Sequence, residues 1–442
     1  MNDRKTIIAL ASGALPSGIA VVRISGPQCS YIMEQFLAKA VPARQLVVRR
    51  IIDPVSRDII DKAMVANFPG PASFTGEDCL EFHVHGSRAI INKLLKRLQE
   101  IPMVRIGEPG EFTRRAFENA RLQLTEIEGL SDLINAETES QRVLAIARMD
   151  GGFSERINGW RRQLVVCLAN IEAYLDFSDE EDVGTPDIDG LVIAINSIAA
   201  EFRAALAGFA QGRIIREGFR VGIGGAPNVG KSSLLNHLVG SEVAIVTDEA
   251  GTTRDIKEVA VDLGGQLVVF FDSAGIRDAT SKAEIEGVRR AREMLEHSNL
   301  IIWLRSALDL KDQWRPGAEA NVLEVVNKCD LAAYDGPGLA VSAKTGMGVQ
   351  QLLEEIKQLA INNNELGSSI LLSRSRDRQA ISDGLMALEA ALTILETKQA
   401  PDMLELIAQD LRSAVFALQR LLGIIDAENV LDELFSGFCI GK

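Results

Sequence analysis

The sequence predicts a multidomain protein of α/β and all-α parts, in which a doubly wound α/β domain is inserted into a helical domain split in sequence. Three observations predict it. Strand and helix signals alternate over residues 216–366, the pattern of a mainly parallel sheet covered on both faces. Helical periodicity fills residues 119–215 and 367–442 on either side, and neither block alone makes a complete bundle. Residues 1–118 mix strand and helix signals and form a separate N-terminal α/β domain. A chain of 442 residues is long enough for two to four domains with full cores.

In the N-terminal part, Thr6–Leu10 and Ile19–Ile24 read as strands separated by a Gly/Pro/Ser turn. Cys79–His85 alternates apolar and polar side chains, as a half-buried strand does, and puts His83 and His85 on one face. No third metal ligand accompanies them, so satisfied strand histidines are expected rather than a metal pair. Pro109-Gly110 punctuates before the run Phe112–Phe117. Ile157, Trp160, Leu164, Leu168, Ile171 and Leu175 step by three and four, which is one buried helix face. The acidic, proline-containing stretch 176–189 reads as a loop, and Ile195, Ile198, Phe202 and Leu206 as the inner face of the next helix. Strands follow near Val221 and over Leu267–Phe271, Leu300–Leu304, Val322–Val326 and Leu339–Val341. Leu404, Ile407, Leu411, Val415, Leu418 and Leu422 return to helical spacing.

Composition narrows the function. The net charge is −14, so any nucleic-acid contact must come from a local basic patch or from a partner. The cysteines Cys29, Cys79, Cys167, Cys329 and Cys439 are scattered without a C-x-x-C pair, which fits a reducing cytoplasm and argues against a zinc site. No signal peptide or apolar run long enough to span a bilayer is read, so a cytoplasmic protein with no membrane partner is expected.

The chemistry centres on Gly225–Ser232, GAPNVGKS, which follows an apolar strand and opens a helix. That context turns the glycine pattern into a phosphate-binding loop. Gly225, Asn228, Val229 and Gly230 bring backbone N–H groups to a phosphate chain at a helix N-terminus. Lys231 bridges the β- and γ-phosphates, Ser232 ligates Mg²⁺, and Ser233 continues the cradle. Asp272-Ser273-Ala274-Gly275 follows a second strand, with a carboxylate for the Mg²⁺ shell and a glycine N–H for the γ-phosphate. Asn327-Lys328-Cys329-Asp330 follows another. Asp330 there accepts from guanine N1–H and the exocyclic amine, and adenine leaves it unpaired, so the site discriminates by ~10⁴-fold or more. Ser342, Ala343 and Lys344 suit backbone recognition of the guanine oxygen. The four motifs, in order and each at a strand's end, point to GTP.

The hydrolytic side is less ordinary. Ile276 follows Gly275, where a water-orienting glutamine often stands, and it can neither orient water nor offset charge. The stretch Thr247, Asp248, Glu249, Ala250, Gly251, Thr252 and Thr253 is rich in oxygen donors. Thr253 supplies the second Mg²⁺ hydroxyl. Thr247, Glu249 and Thr252, with the Asn228 side chain, make either a cage for a monovalent cation or simply a polar loop.

The nucleotide motifs, GTTRD at Gly251–Asp255, FTGEDCLE at Phe74–Glu81, PGEFTRRAF at Pro109–Phe117 and the terminal FCIGK together resemble the tRNA modification GTPase MnmE (TrmE) family, along essentially the whole chain. The resemblance implies a folate-enzyme-like α/β N-terminal domain through which the protein is a homodimer, a helical domain, and an inserted Ras-like G domain. It implies tRNA as substrate and an MnmG (GidA)-type partner, in a heterotetramer or larger assembly. FAD is carried only by that partner, and the pair adds an aminomethyl-type (carboxymethylaminomethyl) group to carbon 5 of the wobble uridine. It implies K⁺ held by Asn228, Thr247, Glu249 and Thr252 between paired G domains, Mg²⁺ held by Ser232 and Thr253, and Glu284 positioning the attacking water. Arg23, Glu81, Arg121 and Lys442 match positions that contact 5-formyl- or methylene-tetrahydrofolate. Arg121 stands where the family has a lysine, a cation of different geometry. Cys439 matches the family's C-terminal cysteine, either a nucleophile toward a pyrimidine ring carbon or a small packing residue. The competing reading is a regulatory or ribosome-assembly GTPase, which needs neither the N-terminal block nor a terminal thiol.

Overall fold

A computed structural model describes residues 5–177, 187–241, 243–245, 258–272, 298–310, 321–362, 372–397, 400–425, 428–438 and 441. The chain divides into two compact units, residues 1–131 with 419–442, and residues 132–418.

The first unit holds β1 (Thr6–Leu10), β2 (Ser17–Ser25), α1 (Cys29–Phe36), β3 (Leu46–Ile52), β4 (Ile59–Phe68), β5 (Cys79–Gly86), α2 (Arg88–Gln99), β6 (Val104–Ile106), α3 (Glu111–Glu118) and α4 (Leu124–Ile134). The strands form one sheet in the order β3-β4-β5-β2-β1-β6, antiparallel except for β1 against β6. Alternation puts Ile8, Val22, Ile24, Val65, Leu80 and Phe82 on the buried face, where Phe36, Ile91, Leu94 and Leu98 of the two helices cover them. The register sets Arg23 opposite Glu81. Asp53 is fully buried and ties the end of β3 to α2 through Lys93 at 2.7 Å and Arg97 at 2.9 Å. A C-terminal helix, Glu428–Ser436, packs Leu431 and Phe435 with Leu124 and Ile127 of α4. Beyond it Gly441, at φ +104°, passes so close to β1 that a Cβ there would collide with the carbonyl of Leu10.

The second unit opens with α5 (Glu139–Met149), α6 (Gly152–Phe177), α7 (Ile188–Ala207) and α8 (Phe209–Glu217). Its sheet follows: β7 (Phe219–Gly224), α9 (Lys231–Val239), β8 (Glu258–Asp262), β9 (Leu267–Asp272), β10 (Leu300–Ser306), β11 (Val322–Asn327), β12 (Leu339–Ala340) and α10 (Val349–Asn362). Helices α11 (Ser375–Leu395) and α12 (Leu404–Leu422) come last. The strand order β12-β11-β10-β7-β9-β8 is parallel except for β8 against β9. The central strands carry near-continuous apolar runs, as strands buried on both faces must. In the helical part, Trp160 of α6 meets Phe202 of α7 edge-on, with centroids 4.9 Å apart. The fully buried Arg148 and Asp377 pair at 2.8 Å. Arg216, at the end of α8, donates from Nε to Ser373 O at 3.2 Å, just before α11. The turn between β8 and β9 is gripped from α5, where Ser140 N–H donates to Gly265 O at 3.0 Å.

Some expectations need correction. Leu168, Leu175 and Leu206 are only partly buried, because Cys167 and Ala205 turn further inward on their helices. Strand β8, an antiparallel edge strand, was not read from the sequence. A bilayer-length apolar run does exist by length and composition, over Ile188–Glu217. Part of that apolar surface is packed: Leu191, Ile195, Ile198, Ala199 and Phe202 are buried within the helical part, where α7 lies against α11, while Ile193 is exposed. His83 and His85 take carboxylate partners, Glu81 at 3.2 Å and Asp61 at 2.9 Å. No cluster of three metal-ligating side chains occurs among the described residues.

Candidate nucleotide site

Strand β7 ends at the middle of the sheet, and the loop after it leads into α9. The loop is shaped by residues that accept positive φ: Gly225 at +141°, Asn228 at +61° and Gly230 at +104°. A Cβ at Gly230 would collide with Nδ2 of Asn327. The loop and the Asn327 strand end are therefore in direct contact, across almost a hundred residues of sequence.

Lys231 and Ser232 open α9 beyond the left-handed Gly230. Lys231 is buried, and its Nζ donates to the carbonyls of Gly225 at 2.8 Å and Ala226 at 2.9 Å, arching back over the loop. Ser232 Oγ donates to Asp272 Oδ2 at 2.9 Å. A hydroxyl and a buried carboxylate thus meet at the N-terminus of a helix, a donor pair suited to a hard divalent cation. Val229 is buried and Ser233 exposed on the first turn.

Asn327 organises the other end. It is buried, its Nδ2 donates to Val229 O at 2.8 Å, and its Oδ1 accepts from Ala343 N–H at 2.9 Å. One amide therefore links the phosphate loop to the loop after β12. Lys328, at φ +65°, reaches Asn228 O with its Nζ at 2.7 Å. Cys329 donates from Sγ to Val326 O at 3.2 Å, and burial, with the Asp330 charge adding, pushes its thiol pKa up. Asp330 and Lys344 are exposed, and Ser342 is fully buried. The structure thus gathers Gly225, Asn228, Val229, Gly230, Lys231, Ser232, Ser233, Asp272, Asn327, Lys328, Asp330, Ser342, Ala343 and Lys344 at the strand ends of one sheet edge. Thr247 to Thr253, Ser273, Ala274, Gly275, Glu284, Cys439 and Lys442 lie outside the described residues.

In the first unit, Arg23 Nε donates to Glu81 Oε1 at 2.9 Å, and Glu81 Oε2 pairs with His83. The Arg23 guanidinium lies 5.5 Å from the ring centre of Phe74, itself exposed, and 5.9 Å from that of buried Phe112. Arg121, exposed, follows α3 and passes near Gly76. Neither phenylalanine is marked as a site residue by its local sequence alone. Their place in the Phe74–Glu81 and Pro109–Phe117 blocks was the available signal.

Residues 6–121 match the model of the "GTP-binding protein TrmE N-terminus", and residues 124–439 match that of the "MnmE helical domain". The chain belongs to the tRNA modification GTPase MnmE family. It is 43% identical over 447 residues to the tRNA modification GTPase MnmE of Bradyrhizobium sp. (strain ORS 278), covering 99% of each chain. It is 44% identical over 444 residues to that of Methylorubrum populi, covering 99% of this chain and 98% of the relative. Membership in the MnmE family gives the enzyme class, GTP hydrolase. Solved structures align over shorter spans. Aquifex aeolicus Era Y63A bound to GDP.AlF4⁻ covers 38% of this chain and 66% of its own at 24% identity and TM-score 0.26. The G domain of the T. maritima FeoB iron transporter covers 32% and 98% at 22% identity and TM-score 0.23.

Proposed function

We propose that this chain hydrolyses GTP as one component of the system that adds a carboxymethylaminomethyl-type group to carbon 5 of the tRNA wobble uridine. It works in the cytoplasm as a homodimer, with tRNA as substrate and a FAD-carrying MnmG (GidA)-type partner in a heterotetramer or larger assembly. The observation that supports this most is the reach of the family match, 99% of the chain. The match takes in the N-terminal unit, with its Arg23–Glu81 pair, as well as the nucleotide site. A purely regulatory or ribosome-assembly GTPase has no use for that unit.

At the nucleotide site, Lys231 leaves the carbonyls of Gly225 and Ala226 for the phosphate chain, which the loop's N–H groups cradle. Asp330 accepts from the base, while Ser342, Ala343 and Lys344 face its oxygen. Ser232 and Thr253 hold Mg²⁺, with Asp272 behind Ser232. Asn228, Thr247, Glu249 and Thr252 hold K⁺ where two G domains pair. When bound, the two cations offset the charge that develops on the phosphate oxygens. Glu284 orients the attacking water, a role Ile276 cannot fill. The remaining nucleotide contacts come from Asp248, Ala250, Gly251, Ser273, Ala274 and Gly275. Arg23, Glu81, Arg121 and Lys442 hold 5-formyl- or methylene-tetrahydrofolate. A paired guanidinium flanked by aromatic rings suits a flat, acid-tailed ligand of that kind. The division into residues 1–118, 119–215 with 367–442, and 216–366 belongs to the same proposal. Cys439 is either a nucleophile toward the pyrimidine ring or packing beside the folate.

The test is mass spectrometry of wobble-uridine nucleosides from cells lacking this chain and from cells carrying Cys439→Ser. Loss of the 5-position group in the deletion establishes the tRNA function, and loss in both makes the thiol essential. Unchanged nucleosides in the deletion overturn the proposal in favour of a regulatory GTPase.

A further inference from the structure

The loop after β12 is wound tightly. Gly346 N–H donates to Ser342 O at 2.9 Å, Thr345 N–H to Ser342 Oγ at 3.2 Å, and Ser342 N–H to Met347 O at 2.8 Å. The turn closes at Gly346, with φ +84°, and its open side is filled by a ring from elsewhere in the chain. A Cβ built on Gly346 would lie 3.0 Å from both Cε1 and Nε2 of His237. His237 stands in the last turn of α9, the nine-residue helix that begins with Lys231 and Ser232. One face of the loop is therefore tied to Asn327 through Ala343 N–H, and the turn at its far end rests on the imidazole of His237.

We infer that His237 is a positioning residue for base specificity: it props the Ser342–Gly346 turn against the far end of the helix that holds the phosphates. This rests on the GTP reading above. Recognition of a purine 6-oxo group by backbone N–H depends on where the loop backbone stands, and a few tenths of an ångström decides whether the bond forms. A short helix is stiff, so a ring at its C-terminal end registers the base loop against the phosphate loop at its N-terminal end. Asn327 gives one such tie and His237 the second. Truncating His237 leaves a ring-sized space beneath Gly346 into which the turn can slacken. His237 stands in the last turn of α9, at the opposite end of that helix from Lys231 and Ser232, so its effect falls on discrimination rather than on chemistry.

The experiment measures binding of a fluorescent GTP analogue to the full chain, with competition by unlabelled GTP and ATP, in wild type, His237→Ala and His237→Phe. In His237→Ala we expect GTP affinity to fall roughly tenfold, on the scale of one lost packing contact, with ATP affinity unchanged. The GTP-to-ATP ratio then falls by the same factor. His237→Phe, which keeps a ring against the turn, restores the ratio. A wild-type ratio in His237→Ala overturns the inference, and so does an equal loss for GTP and ATP, which marks general loosening. Should His237→Ala not fold, His237→Gln removes the ring at similar chain length and is judged by the same ratio. A wild-type chain that does not prefer GTP overturns the reading beneath the inference, a result distinct from either.

Discussion

Ser232 Oγ and Asp272 Oδ2 stand 2.9 Å apart, a hydroxyl from the first turn of α9 against a carboxylate at the end of β9. Two segments forty residues apart thus converge at the proposed Mg²⁺ site, and the hydrogen bond between them holds the hydroxyl and the carboxylate together. Ser232→Ala removes the hydroxyl without adding bulk. GTP hydrolysis at saturating Mg²⁺ should fall by about 100-fold, ~2.7 kcal/mol of barrier. Steady-state rates across a Mg²⁺ titration check this, and an unchanged Mg²⁺ dependence would remove Ser232 from the metal site.

Potassium gives a second expectation. Asn228 lies in the phosphate loop at positive φ, and the other proposed K⁺ donors follow α9 in sequence. GTP hydrolysis should run faster in KCl than in NaCl at equal ionic strength, since Na⁺ is too small for such a cage. Equal rates in the two salts would discard the cage.

The Arg148–Asp377 pair carries a stability prediction. Both side chains are fully buried, so removing Arg148 takes the 2.8 Å guanidinium from a buried carboxylate and leaves Asp377 the longer, 3.7 Å contact to Arg376. Arg148→Ala should cost about 3–5 kcal/mol. The double variant Arg148→Met with Asp377→Leu should recover most of that. Urea midpoints decide, and a double variant no more stable than the single one would refute the account.

Asp53 sets an acid limit on the N-terminal unit. Burial raises its pKa, but hydrogen bonds from Lys93, Val55 N–H, Arg97 and Ser56 N–H outweigh burial and hold it well below the usual carboxylate range. The sign follows from linkage. A group whose pKa is depressed by folding stabilises above its unfolded value, near 3.9, and that contribution is lost as pH falls toward the folded value. Wild-type melting temperature should therefore drop steeply below about pH 4. Asp53→Asn should melt lower at neutral pH and show a shallower acid dependence. Parallel melting curves for the two proteins would contradict this.

The phosphate loop, the Asp272 strand end and the Asn327–Asp330 strand end were legible because each is a local pattern: apolar strand, then a short run of fixed chemistry. The buried face of α12, and that of α6 apart from Leu168 and Leu175, were legible for a similar reason, since a period of 3.6 is written in consecutive residues. Strand β8 was not, because five residues at a sheet edge alternate too briefly to stand out from a loop. The contact of His237 with Gly346 and that of Gly441 with Leu10 were out of reach for a deeper reason. Nothing local to a histidine in a helix, or to a glycine near a terminus, says which distant turn or strand it will meet. The aromatic setting of Arg23 is of the same kind, since Phe74 and Phe112 reach it from separate stretches of chain.

Arg216 and Ser373 touch through one hydrogen bond although 157 residues separate them. The nucleotide-binding sheet is thus spliced into its host through adjacent ends, like a bead threaded on a pinched string. For the surrounding helices, the entropic cost of such an excursion depends on the gap its ends must close and only weakly on its length. The sheet could therefore be acquired, lengthened or exchanged over evolutionary time with little penalty to its host, and a short peptide bridging that gap would be the natural way to splice it out again.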